Sequence, residues 1–508
     1  MLAWLIYVLR RCFFICSGLL TVMSKVAVVV GAGFSGLAQA AFLAKDGFDV
    51  TVVDMHDQPG GRARLYEEGG FRFDMGPSWY LMPDAFERFF AFFGKKPEDY
   101  LELQRLDPQY RLLFADDSID IPTDPQAVAK IFDGFEEGGG EKFLAYLDSS
   151  EEQYNIAVGD FLYREYASLK DFVDPKFLQA GKKLKLFGSI DRYISKFFSS
   201  EKAKQVLEYT MVFLGGSPSN TPALYNIMSH ADFNLGVWYP TGGLNAVVVA
   251  LESLCKELGV EFVYGQEVSE VLVEDGVVRG VKAEREFLGD VVVLSVDYHH
   301  ADTQLLPKKY RQYSDRYWSK RTVAPSGLCM YLGLDKRVDG LLHHTLFLQH
   351  NWQEHFEQVF DDPQWPEAPS YYVCAPSKTE PEVAPVGCEN LFVLVPVAAG
   401  LDDSDATREA FADKILAHLE GVLGESLREH IVVKRLFSHR DFSSEYNSFR
   451  GSALGLSHTL LQSAIFRPRH KAKGVEGLWF TGQFTHPGIG VPMCLVSSEI
   501  VARRIREE

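Results

Sequence analysis

An unbroken apolar run, Val26 to Val30, follows Lys25 and stops at Gly31; after Gly36 the apolar positions of Leu37 to Asp46 recur at helical spacing, and Asp49 to Val53 follows as a second run. Short apolar runs bounded by glycine read as buried strands, so this front segment predicts strand, helix and parallel strand. Leu244, Val247, Leu251, Leu254 and Leu258 form another helical stripe. Glu261 to Val273 and Val277 to Lys282 then read as a hairpin turning at Asp275-Gly276. Val291 to Val296 is a further buried strand. Residues 85 to 238 read as mainly helical, whereas Leu328 to Leu334, Thr345 to Leu348, Tyr371 to Cys374 and Leu391 to Val397 read as strands. Leu478 to Thr481 predicts a last buried strand and Met493 to Arg506 a closing helix.

Two apolar features raise the question of a membrane. Residues 2 to 22 are apolar except for Arg10 and Arg11, which a spanning helix of about 20 residues would place mid-bilayer, so a simple anchor is not expected. The twin arginines resemble a secretion signal, but no small-residue cleavage site follows, and Met23-Ser24-Lys25 leads straight into the first strand. The expectation is an upstream extension of a chain that starts at Met23. Asp174 to Lys204 carries eight basic residues against three acidic ones, with Phe187, Ile190, Ile194, Phe197 and Phe198 at helical spacing. That pattern suits either an interfacial helix on anionic lipid or a core-facing helix with a solvated basic face. The stripe Phe86, Phe89, Phe90 and Phe93 is expected in the core.

With 508 residues, the chain has room for two or three domains at about 150 residues each. A net charge of -18 repels polyanions, so no nucleic acid partner is expected. The seven cysteines never form a CxxC pair, and the fourteen histidines, His299-His300 and His343-His344 included, show no HExxH or other ligand spacing. Neither a disulfide framework nor a metal site is expected.

The chemistry gathers at the glycines. Gly31-Ala32-Gly33-Phe34-Ser35-Gly36 lies between strand and helix, the setting in which such a turn holds a dinucleotide diphosphate. Gly31 permits the tight turn, Gly33 admits the diphosphate, and Gly36 lets helix and strand pack closely, while Asp54 closes the second strand where a ribose hydroxyl needs an acceptor. Pro59-Gly60-Gly61-Arg62 adds a second close-approach turn with a guanidinium for phosphate. Gly482-Gln483-Phe484-Thr485-His486-Pro487-Gly488-Ile489-Gly490-Val491-Pro492 precedes the last helix, whose positive end would face whatever rests on these glycines.

These segments, with Gly70 to Pro77, Tyr239-Pro240-Thr241-Gly242-Gly243 and Ser295-Val296-Asp297, resemble the bacterial-type phytoene desaturases of the amine oxidase-like flavoprotein superfamily, over nearly the whole chain from Lys25. The resemblance implies an α/β fold: a discontinuous Rossmann-like FAD domain (25–84, 239–300, 441–508), a mixed α+β substrate domain with a sheet at 301–440, and a helical, membrane-facing cap at 85–238, after an extension at 1–24. It implies FAD as cofactor, held by Gly31, Gly33, Phe34, Ser35, Gly36, Asp54, Met55, Gly60, Gly61, Arg62, Met75, Gly76, Pro77, Val268 (at adenine), Gly482, Gln483, Gly490, Val491 and Pro492. It further implies desaturation of a phytoene-like carotenoid by hydride transfer to flavin, quinone or oxygen as final acceptor, and a peripheral or monotopic place on the cytoplasmic face of a membrane. No general base is identified. Gln483, Phe484 and Ile489 stand where smaller residues are commoner in that family, which puts the flavin-facing detail in question. A carotenoid isomerase, another carotenoid or amine oxidase, and a flavin-free prenyl-lipid escort resembling the Rab GDP-dissociation inhibitors are the alternatives.

Overall fold

The computed structural model describes residues 24–165, 188–348 and 352–508. A five-stranded parallel sheet takes Leu478–Phe480, Val291–Leu294, Val26–Val30, Asp49–Val53 and Glu261–Val263 in that spatial order. Val28 pairs with Thr51 on one side and Val292 on the other. Because both faces are covered, the three central strands are valine-rich runs rather than alternating ones. The crossover helix Phe34–Lys45 is buried over most of its length between the helices Leu244–Glu257 and Val491–Glu507, and its N-terminus lies where strand order reverses. Ligands of open parallel sheets bind at such a reversal.

The expected single strand from Glu261 to Val273 is two elements. Glu261–Val263 joins the parallel sheet, and Glu270–Glu274 pairs antiparallel with Val277–Lys282. Between them Gly265, at φ 67°, turns the chain back, with its N–H on the His56 carbonyl at 2.8 Å and that of Gln266 on the Asp54 carbonyl at 2.9 Å.

A second, seven-stranded sheet runs Ile431–Phe437, Ser326–Leu334, Glu389–Val397, Tyr371–Cys374, His344–Phe347, Tyr110–Leu113 and Ser118–Ile121. Three of these strands were not among the expected ones. Tyr110–Leu113 and Ser118–Ile121 are short strands inside the region read as helical, and Ile431–Phe437 is an edge strand whose Lys434 and Arg435 break the apolar pattern. Side chains split by period two. Leu328, Met330 and Leu332 pack under the helix Asp405–Leu423, while Cys329 and Tyr331 face the opposite core with Tyr372 and Phe392.

Phe86, Phe89, Phe90 and Phe93 are buried, with Phe89 edge-on to Phe42 at 5.4 Å. The basic aromatic stretch is not one helix across its described part. The helix Ile190–Ile194 ends before the separate helix Glu201–Glu208, and Ile190, Ile194 and Phe198 belong to the core. Lys202 pairs with Asp116 and Lys204 with Glu201. These apolar side chains find protein partners, so they do not form a lipid-facing stripe. Phe187 and the lysines at 176 to 185 lie outside the described residues, as does the N-terminal segment to Met23. Among the described residues no helix is long and apolar enough to cross a membrane.

Candidate functional site

One cavity of about 1450 Å³ opens along the ends of the parallel strands and continues beneath the seven-stranded sheet. Ordinary ligand pockets measure roughly 300–1,000 Å³, so this space suits more than one ligand. Of the candidate residues, Gly36 alone is absent from its wall. A Cβ on Gly36 would come 1.8 Å from the Gly31 carbonyl oxygen, so that glycine presses helix against turn. A Cβ on Gly33 would meet no protein atom within 4 Å. Gly33 faces cavity space, beside helix N–H groups that have no intrahelical partner. Phe34 and Ser35 follow at the wall, with Ser35 Oγ 2.6 Å from Ser295 Oγ.

Asp54, buried at the end of its strand, accepts the Ala32 N–H at 2.6 Å and the His56 N–H at 2.8 Å, tying the glycine turn to the second strand. Met55 and Val268 border it along the wall. Gly60, at φ 117°, and Gly61, at φ 56°, carry the chain over Gly33, and Gly76 lies so close to Arg62 that a Cβ there would be 2.5 Å from the Arg62 carbonyl oxygen. Met75 and Pro77 flank Gly76 on the wall.

Arg62 reaches across the site. Its Nη2 donates to Ser448 Oγ at 2.7 Å and Nη1 to Gln483 Oε1 at 3.2 Å, while its buried Nε has no hydrogen-bond partner. Burial lowers its pKa, opposed chiefly by the charge of Asp297. Asp297 is itself pushed up to about 6 by burial, against N–H donors from Phe449 and His300, both at 3.1 Å. Tyr446 lies under both Arg62 and Arg64, and Arg64 pairs with Glu445. Sequence reasoning missed Tyr446 and Glu445, because nothing local marks residues that act by packing on a distant turn.

On the far wall, Gly482 (φ 113°) and Gly490 (φ 127°) bracket the loop before the helix Val491–Glu507. Val491 and Pro492 line the cavity at the helix start, where the N–H groups are unpaired and the dipole is positive. The three unusual residues behave differently from one another. Gln483 holds Arg62, Ile489 lines the cavity, and Phe484 turns away into the core against Trp318. Burial pushes the Cys494 thiol up to about 11, so it is protonated at neutral pH.

Beyond this end the wall becomes apolar and aromatic, with Trp79, Tyr209, Leu346, Tyr372, Phe392 and Leu394. Behind it, Asp232 Oδ2 accepts the hydroxyls of Tyr110 at 2.8 Å and Tyr209 at 2.9 Å, and burial pushes its pKa up to about 7. Arg192 and Lys196, both exposed, also border the cavity, which marks a mouth at the surface. His343, His344 and Cys374 bring ligating atoms within 4.8 Å of one another. Each imidazole engages a hydroxyl through Nδ1, Thr379 at 2.7 Å and Tyr372 at 2.6 Å, and burial pushes the Cys374 thiol up to about 12. A closed tetrahedral site takes four ligands, so this trio is one short, and Trp79 stacks on His344 at 4.2 Å as in ordinary core packing.

The residues fit FAD: open space over Gly33, an unpartnered buried guanidinium N–H, a strand-end carboxylate and a second helix N-terminus. The family described as flavin containing amine oxidoreductase matches residues 34–506. A carotenoid 3,4-desaturase of Haloarcula japonica is 49% identical over 484 residues, covering 94% of this chain and 98% of that protein. A zeta-carotene-forming phytoene desaturase of Myxococcus xanthus is 35% identical, covering 94% and 93%. Among solved structures, putrescine oxidase bound to putrescine has a TM-score of 0.61 at 17% identity, with 96% of this chain and 99% of that one covered, a likeness of fold. The chain therefore belongs to the flavin-containing amine oxidoreductases, in their carotenoid desaturase branch, and its cofactor is FAD.

Proposed function

We propose that this protein desaturates a carbon–carbon single bond in a long linear polyene of the carotenoid class. The observation that carries the reading is the continuity of the cavity from Gly33 and Arg62 to the aromatic chamber around Trp79 and Tyr372. When bound, FAD supplies the two-electron acceptor. The chain's own residues do the rest. Gly33, Arg62 and the start of Phe34–Lys45 would hold the diphosphate, Asp54 the ribose, and the loop from Gly482 to Pro492 the redox end. The chamber orients an apolar chain and excludes water, which keeps positive charge developing along the polyene from being trapped by solvent. His486 and His355 on the wall are pushed down to about 3 and about 4 by burial, so they are neutral and do not repel that charge.

An apolar substrate dissolved in lipid calls for a mouth at the membrane. Arg192 and Lys196 at the rim suit anionic headgroups there, and a membrane quinone or oxygen would take the electrons onward. The test is an anaerobic incubation of the FAD-loaded protein with carotenoid-loaded anionic liposomes and a quinone, followed by visible spectra and pigment extraction. Red-shifted products with more conjugated double bonds are expected. Pigments changed only in cis-trans geometry would instead make it an isomerase, and turnover that requires air would make oxygen the acceptor.

A further inference from the structure

Among the described residues, the other two fully buried arginines answer to carboxylates, and so does Arg62 in the cavity wall. Arg408 pairs with Asp403 and with Asp441 at 2.8 Å, Arg64 pairs with Glu445, and Arg62 feels Asp297. Arg467 is the exception. It is 3% exposed, and its guanidinium donates only to backbone carbonyls: Gln483 at 2.7 Å, Gln462 at 2.9 Å, Thr485 at 3.1 Å and Leu456 at 3.2 Å. Its electrostatic neighbours are Tyr225, Tyr317 and the imidazoles of His458 and His486, and no carboxylate among the described residues pairs with it. Burial lowers its pKa to about 10, which still leaves it charged at neutral pH. A buried cation without a counter-charge is costly, and the fold keeps this one.

Its position says what balances it. Two of its four carbonyls belong to the loop from Gly482 to Gly490, and a Cβ on Gly488 would come 3.0 Å from Arg467 Cζ. One glycine thus separates the guanidinium from the loop face that borders the cavity through Gln483, Pro487 and Ile489. The Ile489 N–H is spoken for, since it donates to His458 Nε2 at 2.9 Å. Nearby, the N-terminus of Val491–Glu507 adds positive potential of the same sign. The diphosphate would have its own partners in Gly33 and the Arg62 guanidinium, whose buried Nε is unpartnered. The anion missing at this end is one that appears only during turnover: hydride brings the flavin two electrons and one proton, so its ring gains one negative charge.

We propose that Arg467 is a positioning residue whose fixed charge, acting through the 482–490 loop, makes the site hold reduced FAD more tightly than oxidised FAD. This rests on the placement of FAD argued above. Arg467 thereby sets the driving force for hydride removal from a substrate that has no activating heteroatom.

The experiment is the midpoint potential of bound FAD, by equilibration with a reference dye, in the wild type and in Arg467→Lys and Arg467→Met. The wild type is expected above free FAD measured alongside. Arg467→Met should lose at least tenfold in the ratio of reduced to oxidised affinity, a fall of about 30 mV for a two-electron couple. Arg467→Lys, which keeps the charge but not the fork, should retain most of the potential. The proposal is overturned if wild-type FAD sits at or below free FAD, if Arg467→Met binds both forms more weakly by the same factor, or if the lysine variant falls as far as the methionine one. Should Arg467→Met fail to fold, the wild-type and lysine potentials still decide. A wild type that binds no FAD at all would overturn the cofactor placement itself, and this proposal with it.

Discussion

Gly33 and Gly36 stand three residues apart in one turn, and the structure assigns them opposite liabilities. Gly33 has φ -77° and ψ -179°, a conformation open to alanine, and its added methyl meets no protein atom. As the N-cap of Phe34–Lys45, it gives up about 0.5–1 kcal/mol on becoming alanine, offset by about 0.4–1 kcal/mol from a stiffer unfolded chain. Gly33→Ala should therefore leave the FAD-free protein's stability within about 0.5 kcal/mol of wild type. Its methyl would stand where the diphosphate must approach, and overpacking by one methyl costs about 1–3 kcal/mol, or roughly a 5- to 150-fold rise in Kd. Gly36→Ala is the mirror case. With a Cβ 1.8 Å from the Gly31 carbonyl oxygen, the turn or the helix must shift, at about 3 kcal/mol or more, before any ligand binds. Urea unfolding of the FAD-stripped proteins and fluorescence titration with FAD separate the two. A Gly33→Ala protein that binds FAD within about twofold of wild type, or that is destabilised as badly as Gly36→Ala, would refute the assignment of cavity space to the diphosphate.

Arg62→Gln should keep the fold but weaken FAD by about 1.5–3 kcal/mol, the range for a hydrogen bond to a charged group, with a flatter salt dependence in the same titration. For Asp232, a folded pKa of about 7 above an ordinary 3.8 gives stability that is full below pH 3.8 and is lost as pH rises through 7. Asp232→Asn still accepts both tyrosine hydroxyls, so its urea midpoint should rise less than that of wild type between pH 7 and pH 4; equal rises would mean the carboxyl ionises freely. Leu394→Trp, at the chamber wall and away from the glycine turns, should leave FAD stoichiometry unchanged while polyene turnover falls about tenfold or more, read from extracted pigments.

The front of the molecule was legible because its chemistry is local. Strand, glycine turn, helix and Asp54 all fall within one crossover, and each residue type has a short-range reason. Val268 was reachable only through resemblance, since its relation to Gly33 is tertiary. Arg467 was invisible for a sharper reason: an arginine before a proline in a polar stretch looks like a surface cation, and only burial against four carbonyls reveals otherwise. The strands Tyr110–Leu113 and Ser118–Ile121 escaped notice because four-residue segments are too short to establish a period of two against helical surroundings. The core-facing reading of the basic aromatic stretch holds for Ile190, Ile194 and Phe198, but its continuity as one helix does not, because helical spacing is preserved in sequence across a break at Ser195 to Ser200 that ends the helix in space.

The parallel sheet draws its five strands from three far-apart stretches of chain, the last being Leu478–Phe480, and the helix that closes the cavity ends at Glu507. During translation, therefore, the ribosome must deliver the chain through the helix Val491–Glu507 before the cofactor has a complete seat. Until then Gly31 to Gly36 waits beside a half-built sheet whose apolar strand edges are open to chaperones and to aggregation alike. Loading with FAD must wait for Leu478–Phe480 and the helix behind it, and a message truncated before residue 478 yields a protein with its glycine turn intact and nothing to close over it.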